Sequence, residues 1–192
     1  VGSTNWKNDV ERVKEGRNAI GPDIELMADI NQALEPKQAI QLGKKLEEYD
    51  LLWLEEPVAS NNREGHAEVR SSLATAIASG ENEYSLSGMH EMIETKACDI
   101  LMPDLQRIGG ISEMRKVANL AESYNLPIST HIFTEHSLSV AGSVTNCLSV
   151  EHMPWFSRLF NEQIDVINGY IDIPERPGTG FTFNESYIKL IN

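Results

Sequence analysis

Short apolar runs alternate with longer segments of mixed apolar and polar residues along most of the chain. The short runs favour β-strands at 25–29, 51–55, 75–80, 99–102, 126–131 and, with a weaker pattern, 148–151. The longer segments favour helices at 9–20, 35–49, 62–73, 87–95, 111–124 and 137–146. Because each helical segment is long enough to cross between parallel strands, the alternation predicts an α/β fold with a parallel sheet.

Successive strand and helix units without a sequence repeat are typical of a TIM-type (β/α) barrel. A complete eight-stranded barrel takes about 250 residues, whereas this chain has 192 residues. We therefore expect an incomplete barrel that lacks two strands. After Trp155 the pattern changes to glycine, proline and alternating apolar residues, so residues 1–155 are predicted to form the partial barrel and residues 156–192 an irregular tail packed on it.

The charge balance narrows the range of functions. The chain has 16 Lys and Arg residues against 29 Asp and Glu residues, a formal net charge of -13, which argues against a nucleic acid partner. No apolar stretch approaches the roughly 18 residues that span a bilayer, so we expect no membrane partner. The two cysteines, Cys98 and Cys147, are too few for a disulfide framework, and we expect a reducing, cytoplasmic location.

Three successive predicted strands end in carboxylates. Asp29 and Glu55 lie 26 residues apart, and Glu55 and Glu81 are separated by the same number. Because the carboxyl ends of parallel strands meet at one rim of a barrel, we expect the three side chains to converge. Converging carboxylates repel one another unless a cation neutralises them, and an all-oxygen ligand set favours Mg²⁺ over Zn²⁺. The sequence therefore predicts a magnesium site.

The next two predicted strands end in an acid and a histidine. Asp104 and His131 are 27 residues apart, again one strand and helix unit. A carboxylate on the neighbouring strand can hydrogen-bond the imidazole, fix its tautomer and raise its basicity. This pair is typical of a general base.

The strand ends carry motifs that resemble those of one protein family. The chain is similar to the C-terminal barrel domain of the enolase superfamily, of the mandelate racemase and muconate lactonizing enzyme type, and within it to the mandelate racemase subgroup. The resemblance implies a (β/α)7β barrel, and its motifs occur in family order. They are Ala28-Asp29-Ile30-Asn31, Trp53-Leu54-Glu55-Glu56-Pro57, Ser79-Gly80-Glu81-Asn82, Met102-Pro103-Asp104 with Ile108-Gly109-Gly110, and Ser129-Thr130-His131 with Glu151.

The resemblance also implies roles in removing the proton α to the carboxylate of a small-molecule substrate. The three acids of the magnesium site are the implied Mg²⁺ ligands, and His131 is the implied acid and base catalyst, oriented by Asp104. Glu151 is implied to act in catalysis through a hydrogen bond to the substrate carboxylate as it becomes an enediolate. We expect Asn31 and Arg107 to contact substrate, with the alternative that Arg107 pairs with the acids of the site.

Several reactions are compatible with this first step. We rank dehydration of a sugar acid first, because it is widespread among sequences with this His and Asp arrangement, and racemisation or epimerisation of a 2-hydroxy acid second. A glycoside hydrolase needs only a pair of carboxylates, so the further acid and the histidine argue against it. An inactive barrel that only binds metal or a partner is the alternative from another class.

Some parts of the family pattern are not found in this chain. They are a Lys-x-Lys motif at the end of the second barrel strand, the first two strands and the N-terminal capping domain. We therefore expect little activity from this chain alone and a tail that packs on the barrel or the cap. An open barrel also exposes two strand edges, so we expect association into a homo-oligomer.

Two residues beside the motifs are expected to have structural positions. Glu56 alternates away from Glu55, so we expect it to form a hydrogen bond beneath the site. His136 is expected at a solvated helix start.

Overall fold

The computed structural model describes residues 1–2 and 5–188. Six parallel strands form one sheet in chain order, each paired with the strand that precedes or follows it. The strands are β1 Leu26–Asp29, β2 Leu51–Glu55, β3 Ala76–Ser79, β4 Ile100–Leu101, β5 Ile128–Thr130 and β6 Cys147–Val150. This sheet confirms the predicted incomplete α/β barrel. Within the described residues, β1 and β6 are its edges.

Helices connect the strands and cover the outer face of the sheet. They are α1 Trp6–Ile20, α2 Pro36–Leu46, α3 Arg63–Ser72, α4 Ser85–Glu94, α5 Leu105–Ile108, α6 Ile111–Ser123 and α7 Thr134–Ala141, with 3-10 turns at Glu47–Tyr49 and Ser157–Leu159. Among these helices, none combines the length and the apolar character needed to span a bilayer.

The helices differ from the predicted ones chiefly in three places. Helix α1 begins at Trp6, three residues before the predicted start. The helix expected at 137–146 is α7, which begins at Thr134 and ends at Ala141. It starts early because Ile132 and Phe133 have φ of +27° and +48° and reverse the chain directly after β5. The short helix α5 was not predicted, because its four residues are too few to show a helical period. Its N-cap is Asp104, whose side chain accepts hydrogen bonds from the backbone of Gln106 and Arg107.

The core has an outer and an inner part. On the outer side, β2 contributes Leu54, which packs with Leu42 and Leu46 of α2 and is fully buried. On the inner side, Trp53 packs with Ile100 and Met102 in a smaller cluster. Because the outer part holds the strands rigidly against the helices, side chains at the strand ends have fixed starting positions.

The tail is described as far as residue 188, and residues 189–192 lie outside the described residues. Phe160 is its most buried aromatic residue, with 2% of its surface exposed. Its ring contacts Phe133, His136, Phe181 and Phe183. The tail therefore contacts the corner between β5 and α7.

Gly80 ends β3 in a conformation that disfavours any side chain. Its φ is +133°, and a Cβ there would lie 3.2 Å from the backbone nitrogen of Met102. We expect Gly80→Ala to lower the free energy of unfolding by about 1–3 kcal/mol. Gly16, inside α1, has open space around it, and Gly16→Ala should raise the same quantity by about 0.5–1 kcal/mol. Urea denaturation measures both, and equal stability of the two variants would contradict this account.

Candidate active site

Apart from Arg107, which lies in α5, the predicted site residues lie at or just after the carboxyl ends of the strands. Asp29 is in register with Glu55 across the β1 and β2 pair, and a parallel bridge joins Asp104 to His131 beyond β4 and β5. Glu151 follows β6 directly, and its backbone nitrogen donates to Thr130. We call this edge of the sheet, which includes the ends of all six strands, the carboxyl rim.

Asp29 ends an edge strand and is exposed. Its Oδ1 accepts a hydrogen bond from the backbone nitrogen of Asn31 at 2.7 Å, and its Oδ2 lies 3.4 Å from the Asn31 amide nitrogen. Asn31 has a φ of +49°, which turns its side chain back towards Asp29. The structure thus places Asn31 against a candidate metal ligand, and its predicted contact with substrate stays a prediction.

Glu55 is the carboxylate most affected by its neighbours. Burial, followed by the charge of Asp29 and smaller contributions from Glu151 and Glu81, raises the pKa of Glu55 to about 8. The Trp53 indole opposes this shift by donating a hydrogen bond of 3.3 Å to Glu55 Oε2. Sequence reasoning missed this contact, although the two-residue spacing on one strand puts both side chains on the same face.

A cavity of about 230 Å³ opens along the inner face of the sheet at this point. Asp29, Glu55 and Glu151 line it together with inner residues of several strands, among them Met102 and Ser129. The cavity therefore has carboxylates at the rim and a partly apolar wall below. Such a cavity suits a positively charged ligand, or a ligand that binds together with a cation.

Glu81 is buried and turned towards two basic groups. The Arg107 guanidinium donates to Glu81 Oε1 at 3.2 Å and to its backbone oxygen at 2.9 Å. His131 Nε2 lies 3.2 Å from Glu81 Oε2. Arg107 thus pairs with a site acid, and its predicted contact with substrate stays a prediction.

The three carboxylates predicted to bind Mg²⁺ do not form a complete metal site among the described residues. In the part of the chain that the structure describes, no group of three or more His, Cys, Asp or Glu side chains is arranged to hold a metal ion. Asp29 and Glu55 are adjacent, whereas the Glu81 carboxylate is held by Arg107 and His131. Joining the first two acids requires Glu81 to exchange those partners, and its role as a ligand stays a prediction.

Asp104 and His131 form a short, buried contact. Asp104 Oδ2 lies 2.7 Å from His131 Nδ1, so the Nδ1 proton is assigned to this hydrogen bond and Nε2 faces the rim. Asp104 Oδ1 accepts from the backbone nitrogens of Gln106 and Arg107, each at 2.8 Å. Every oxygen of this buried carboxylate is therefore satisfied, and the imidazole orientation is fixed.

Opposing effects set the basicity of the pair. Burial alone would lower the pKa of His131, but the hydrogen bond to Asp104 and the charges of Glu81 and Glu151 outweigh it and raise that pKa. Burial would likewise raise the pKa of Asp104, and the contacts with His131 and Arg107 reverse the shift and lower it. The pair thus combines an ionised carboxylate with an imidazole of raised basicity.

Glu151 is the second carboxylate near His131 Nε2. Its Oε2 accepts a hydrogen bond of 3.1 Å from the backbone nitrogen of Ile132 and lies 3.9 Å from His131 Nε2. The imidazole nitrogen that faces the rim is therefore close to two carboxylates. This arrangement can take up a proton from a bound ligand and return it.

Two residues beside the site test the structural expectations. Glu56 is confirmed as a structural hydrogen-bond acceptor, because it is 1% exposed and accepts from the side-chain amides of Gln32 and Asn82. His136 lies in the first turn of α7, as expected, but it is half-buried rather than solvated. Its ring packs against Phe133 and Phe160, and burial lowers its pKa. The early start of α7 turns His136 towards the aromatic tail.

The variant Asp104→Asn tests the effect of Asp104 on the pKa of His131. Asparagine retains an oxygen to cap α5 but loses the negative charge, so we expect the pKa of His131 to fall. Imidazole titration followed by NMR measures this, and His66 and His136, which do not contact Asp104, serve as internal references. An unchanged His131 titration would contradict the assigned electrostatic role of Asp104.

Comparison with known proteins covers nearly the whole chain. Residues 1–187 match the family described as enolase C-terminal domain-like. L-talarate/galactarate dehydratase from Salmonella typhimurium is 36% identical over 185 residues, which cover 96% of this chain and 46% of that enzyme. The chain spans about half the length of the curated relatives it matches.

Solved structures agree with this match. L-talarate dehydratase from Polaromonas sp., crystallised with Mg and L-glucarate, superposes with a TM-score of 0.94 at 35% identity and covers 97% of this chain and 52% of that one. A racemase from Streptomyces coelicolor with bound magnesium superposes with a TM-score of 0.91 at 30% identity over the same shares. The chain belongs to the enolase superfamily, as a C-terminal barrel domain of the mandelate racemase and muconate lactonizing enzyme type.

Proposed function

We propose that the protein removes the proton α to the carboxylate of a sugar acid in a Mg²⁺-dependent reaction and then eliminates water. The observation that carries this proposal is His131, whose Nδ1 is bound by Asp104 at 2.7 Å and whose Nε2 faces the carboxylates of the rim. The names of similar proteins support the substrate class, since the relative from Salmonella typhimurium is a dehydratase of talarate and galactarate.

Asp29, Glu55 and Glu81 are the residues proposed to hold Mg²⁺. The fit rests on their chemistry: all donors are carboxylate oxygens, and repulsion from Asp29 adds to burial in disfavouring the charged form of Glu55. A cation removes that repulsion. When bound there, Mg²⁺ stabilises the negative charge that develops on the substrate carboxylate as the α-proton leaves.

His131 is proposed to accept the α-proton at Nε2. Its Nδ1 proton stays on the Asp104 side, so the ring becomes an imidazolium beside a buried carboxylate, and that charge pair favours the transfer. Glu151, 3.9 Å from Nε2, is proposed to hydrogen-bond the substrate carboxylate in its enediolate form. Asn31 and Arg107 are proposed to contact substrate, Asn31 beside Asp29 and Arg107 beside Glu81.

Dehydration completes the reaction without a further reagent. The electron pair released at the α-carbon forms a double bond to the β-carbon, and the β C–O bond breaks. The proton taken by His131 is available to the departing hydroxide, which leaves as water. The enol that remains rearranges to a 2-keto-3-deoxy acid.

Racemisation or epimerisation of a 2-hydroxy acid is the second candidate function. It shares the proton abstraction by His131 but requires a second base on the opposite face of the substrate. Among the described residues, no lysine follows the carboxyl end of a strand. The structural similarity to the Streptomyces coelicolor racemase supports keeping this alternative.

Three further proposals concern the organisation of the protein. Residues 1–155 are proposed as the catalytic part of the barrel and residues 156–192 as a tail packed on barrel or cap, a division supported by the contacts of Phe160. Association into a homo-oligomer is proposed because β1 and β6 have unpaired edges among the described residues. A cytoplasmic location is proposed from the free cysteines Cys98 and Cys147.

Exchange of the substrate α-hydrogen in deuterated solvent tests the first step. With the intact protein and aldonic or aldaric acids, we expect Mg²⁺-dependent exchange of the α-hydrogen, which ¹H NMR of the substrate measures. EDTA should abolish this exchange. Glu81→Gln should reduce the rate by more than about 100-fold, because loss of a metal ligand exceeds the effect of losing a supporting contact. Glu113→Gln, a surface change on α6, is the matched control. Full exchange in Glu81→Gln would refute the metal assignment.

The product separates the candidate functions. Dehydration gives a 2-keto-3-deoxy acid, which a carbonyl reagent detects, whereas racemisation or epimerisation gives a stereoisomer of unchanged mass. We expect the keto acid, and we expect His131→Asn to lower its rate of formation by about 10²–10⁴-fold. Mg²⁺ binding without exchange of any sugar acid would instead favour the inactive metal-binding barrel.

A further inference from the structure

Glu56 is a buried carboxylate with two amide donors. It follows β2 directly and has 1% of its surface exposed. Its Oε2 accepts a hydrogen bond of 3.0 Å from Gln32 Nε2, and its Oε1 accepts one of 2.8 Å from Asn82 Nδ2. A buried charge is costly even when it is hydrogen-bonded. The contacts of Glu56 therefore call for a structural or functional reason.

The Gln32 amide is oriented by a second contact. Its Oε1 accepts a hydrogen bond of 2.9 Å from the backbone nitrogen of Ser60, so its NH₂ group must face Glu56. The Gln32 backbone nitrogen also donates to the Glu56 carbonyl oxygen at 2.8 Å. The loops after β1 and β2 are therefore joined through both backbone and side chains.

Asn82 extends the connection to the third loop. The same amide nitrogen that donates to Glu56 lies 3.2 Å from Glu81 Oε1. Glu56 therefore connects the loop after β1 to the loop after β3, and it directly follows Glu55, the last residue of β2. Asp29 and Glu55 are the last residues before the loops after β1 and β2, and Glu81 lies in the loop after β3, so each loop adjoins or contains one proposed metal ligand.

The backbone at two of these positions needs such support. Gln32 has a φ of +63° and Glu56 a φ of +38°, in the left-handed region where side chains other than glycine are strained. Conformations of this kind persist when surrounding contacts determine them, and they are concentrated at functional sites. The hydrogen bonds between the amides and the Glu56 carboxylate are contacts that can fix the backbone at these positions.

We propose that Glu56 is a positioning residue that sets the mutual placement of the strand ends at Asp29, Glu55 and Glu81, and thereby the affinity for a divalent cation. This inference rests on the proposed Mg²⁺ site. It assigns to the second glutamate of the Glu55-Glu56-Pro57 motif a role distinct from that of the ligand before it.

The test reverses the hydrogen-bond polarity at two positions. In Glu56→Gln, one oxygen becomes an NH₂ group that faces another NH₂ group, so one loop contact is lost. In Gln32→Glu, two buried carboxylates face each other. We expect each single change to weaken Mg²⁺ binding, measured by isothermal titration calorimetry on the intact protein, by about 10–100-fold.

The double variant Glu56→Gln with Gln32→Glu restores the pattern. The amide at position 56 donates to the carboxylate at position 32, whose other oxygen still accepts from Ser60, and the oxygen at position 56 accepts from Asn82. Net charge equals that of the parent protein. We expect Mg²⁺ affinity to return to within about 3-fold of the parent value, a recovery that a general loss of folding or charge does not produce.

Asp99→Asn is the matched control. Asp99 binds Arg70 and the Ile77 backbone nitrogen at the opposite end of β3, so its loss should reduce stability and leave Mg²⁺ affinity unchanged. If Glu56→Gln does not fold, Gln32→Met replaces it, since it removes one donor and keeps the Asn82 contact.

The outcomes separate the two hypotheses. Absence of Mg²⁺ binding by the parent protein overturns the metal assignment on which the inference rests. Binding by the parent that is unchanged in the folded single variants overturns the role of Glu56 alone. Binding that is lost in the single variants and not recovered in the double variant also overturns it, because the hydrogen-bond pattern then does not determine affinity.

Discussion

Parallel pairing in one direction brings the carboxyl ends of all six strands to the same rim, and in this chain most of those ends carry acids. Carboxylates at close range repel one another, so each needs compensation. The compensating group differs for each acid. Arg107 forms an ion pair with Glu81, backbone nitrogens and an imidazole contact Asp104, and side-chain amides donate hydrogen bonds to Glu56. Glu55 accepts a hydrogen bond from the Trp53 indole, but burial, followed by the charge of Asp29, raises the pKa of Glu55 to about 8.

The same electrostatics give the imidazole its character. A histidine this buried would ordinarily lose basicity, yet three acids from separate strand ends act on His131. One of them, Asp104, also caps α5 and is thereby held independently of the histidine. A fixed acceptor behind the ring and negative charge in front of it provide an imidazole that faces a ligand with one nitrogen only.

The strand pattern was predictable because it depends on local alternation and on spacing. β2 was predicted with its observed bounds, and the spacing of Asp104 and His131 correctly indicated neighbouring strand ends. Contacts that depend on side-chain rotation were not predictable in this way. The hydrogen bond from Trp53 to Glu55 depends on a rotamer that satisfies a buried charge, and so does the choice of Glu81 as the acid that pairs with Arg107. The early start of α7 arose from two left-handed residues, which leave no hydrophobic period to detect.

The corner after β5 has a consequence for the rest of the polypeptide. Phe133 stands two residues after His131, and its ring meets Phe156 of the tail edge to face, with centroids 4.9 Å apart. An irregular segment distant in sequence thus braces the backbone beside the imidazole. Substitutions in that segment are transmitted to the strand end, so a region without regular secondary structure is subject to the packing constraints of a core.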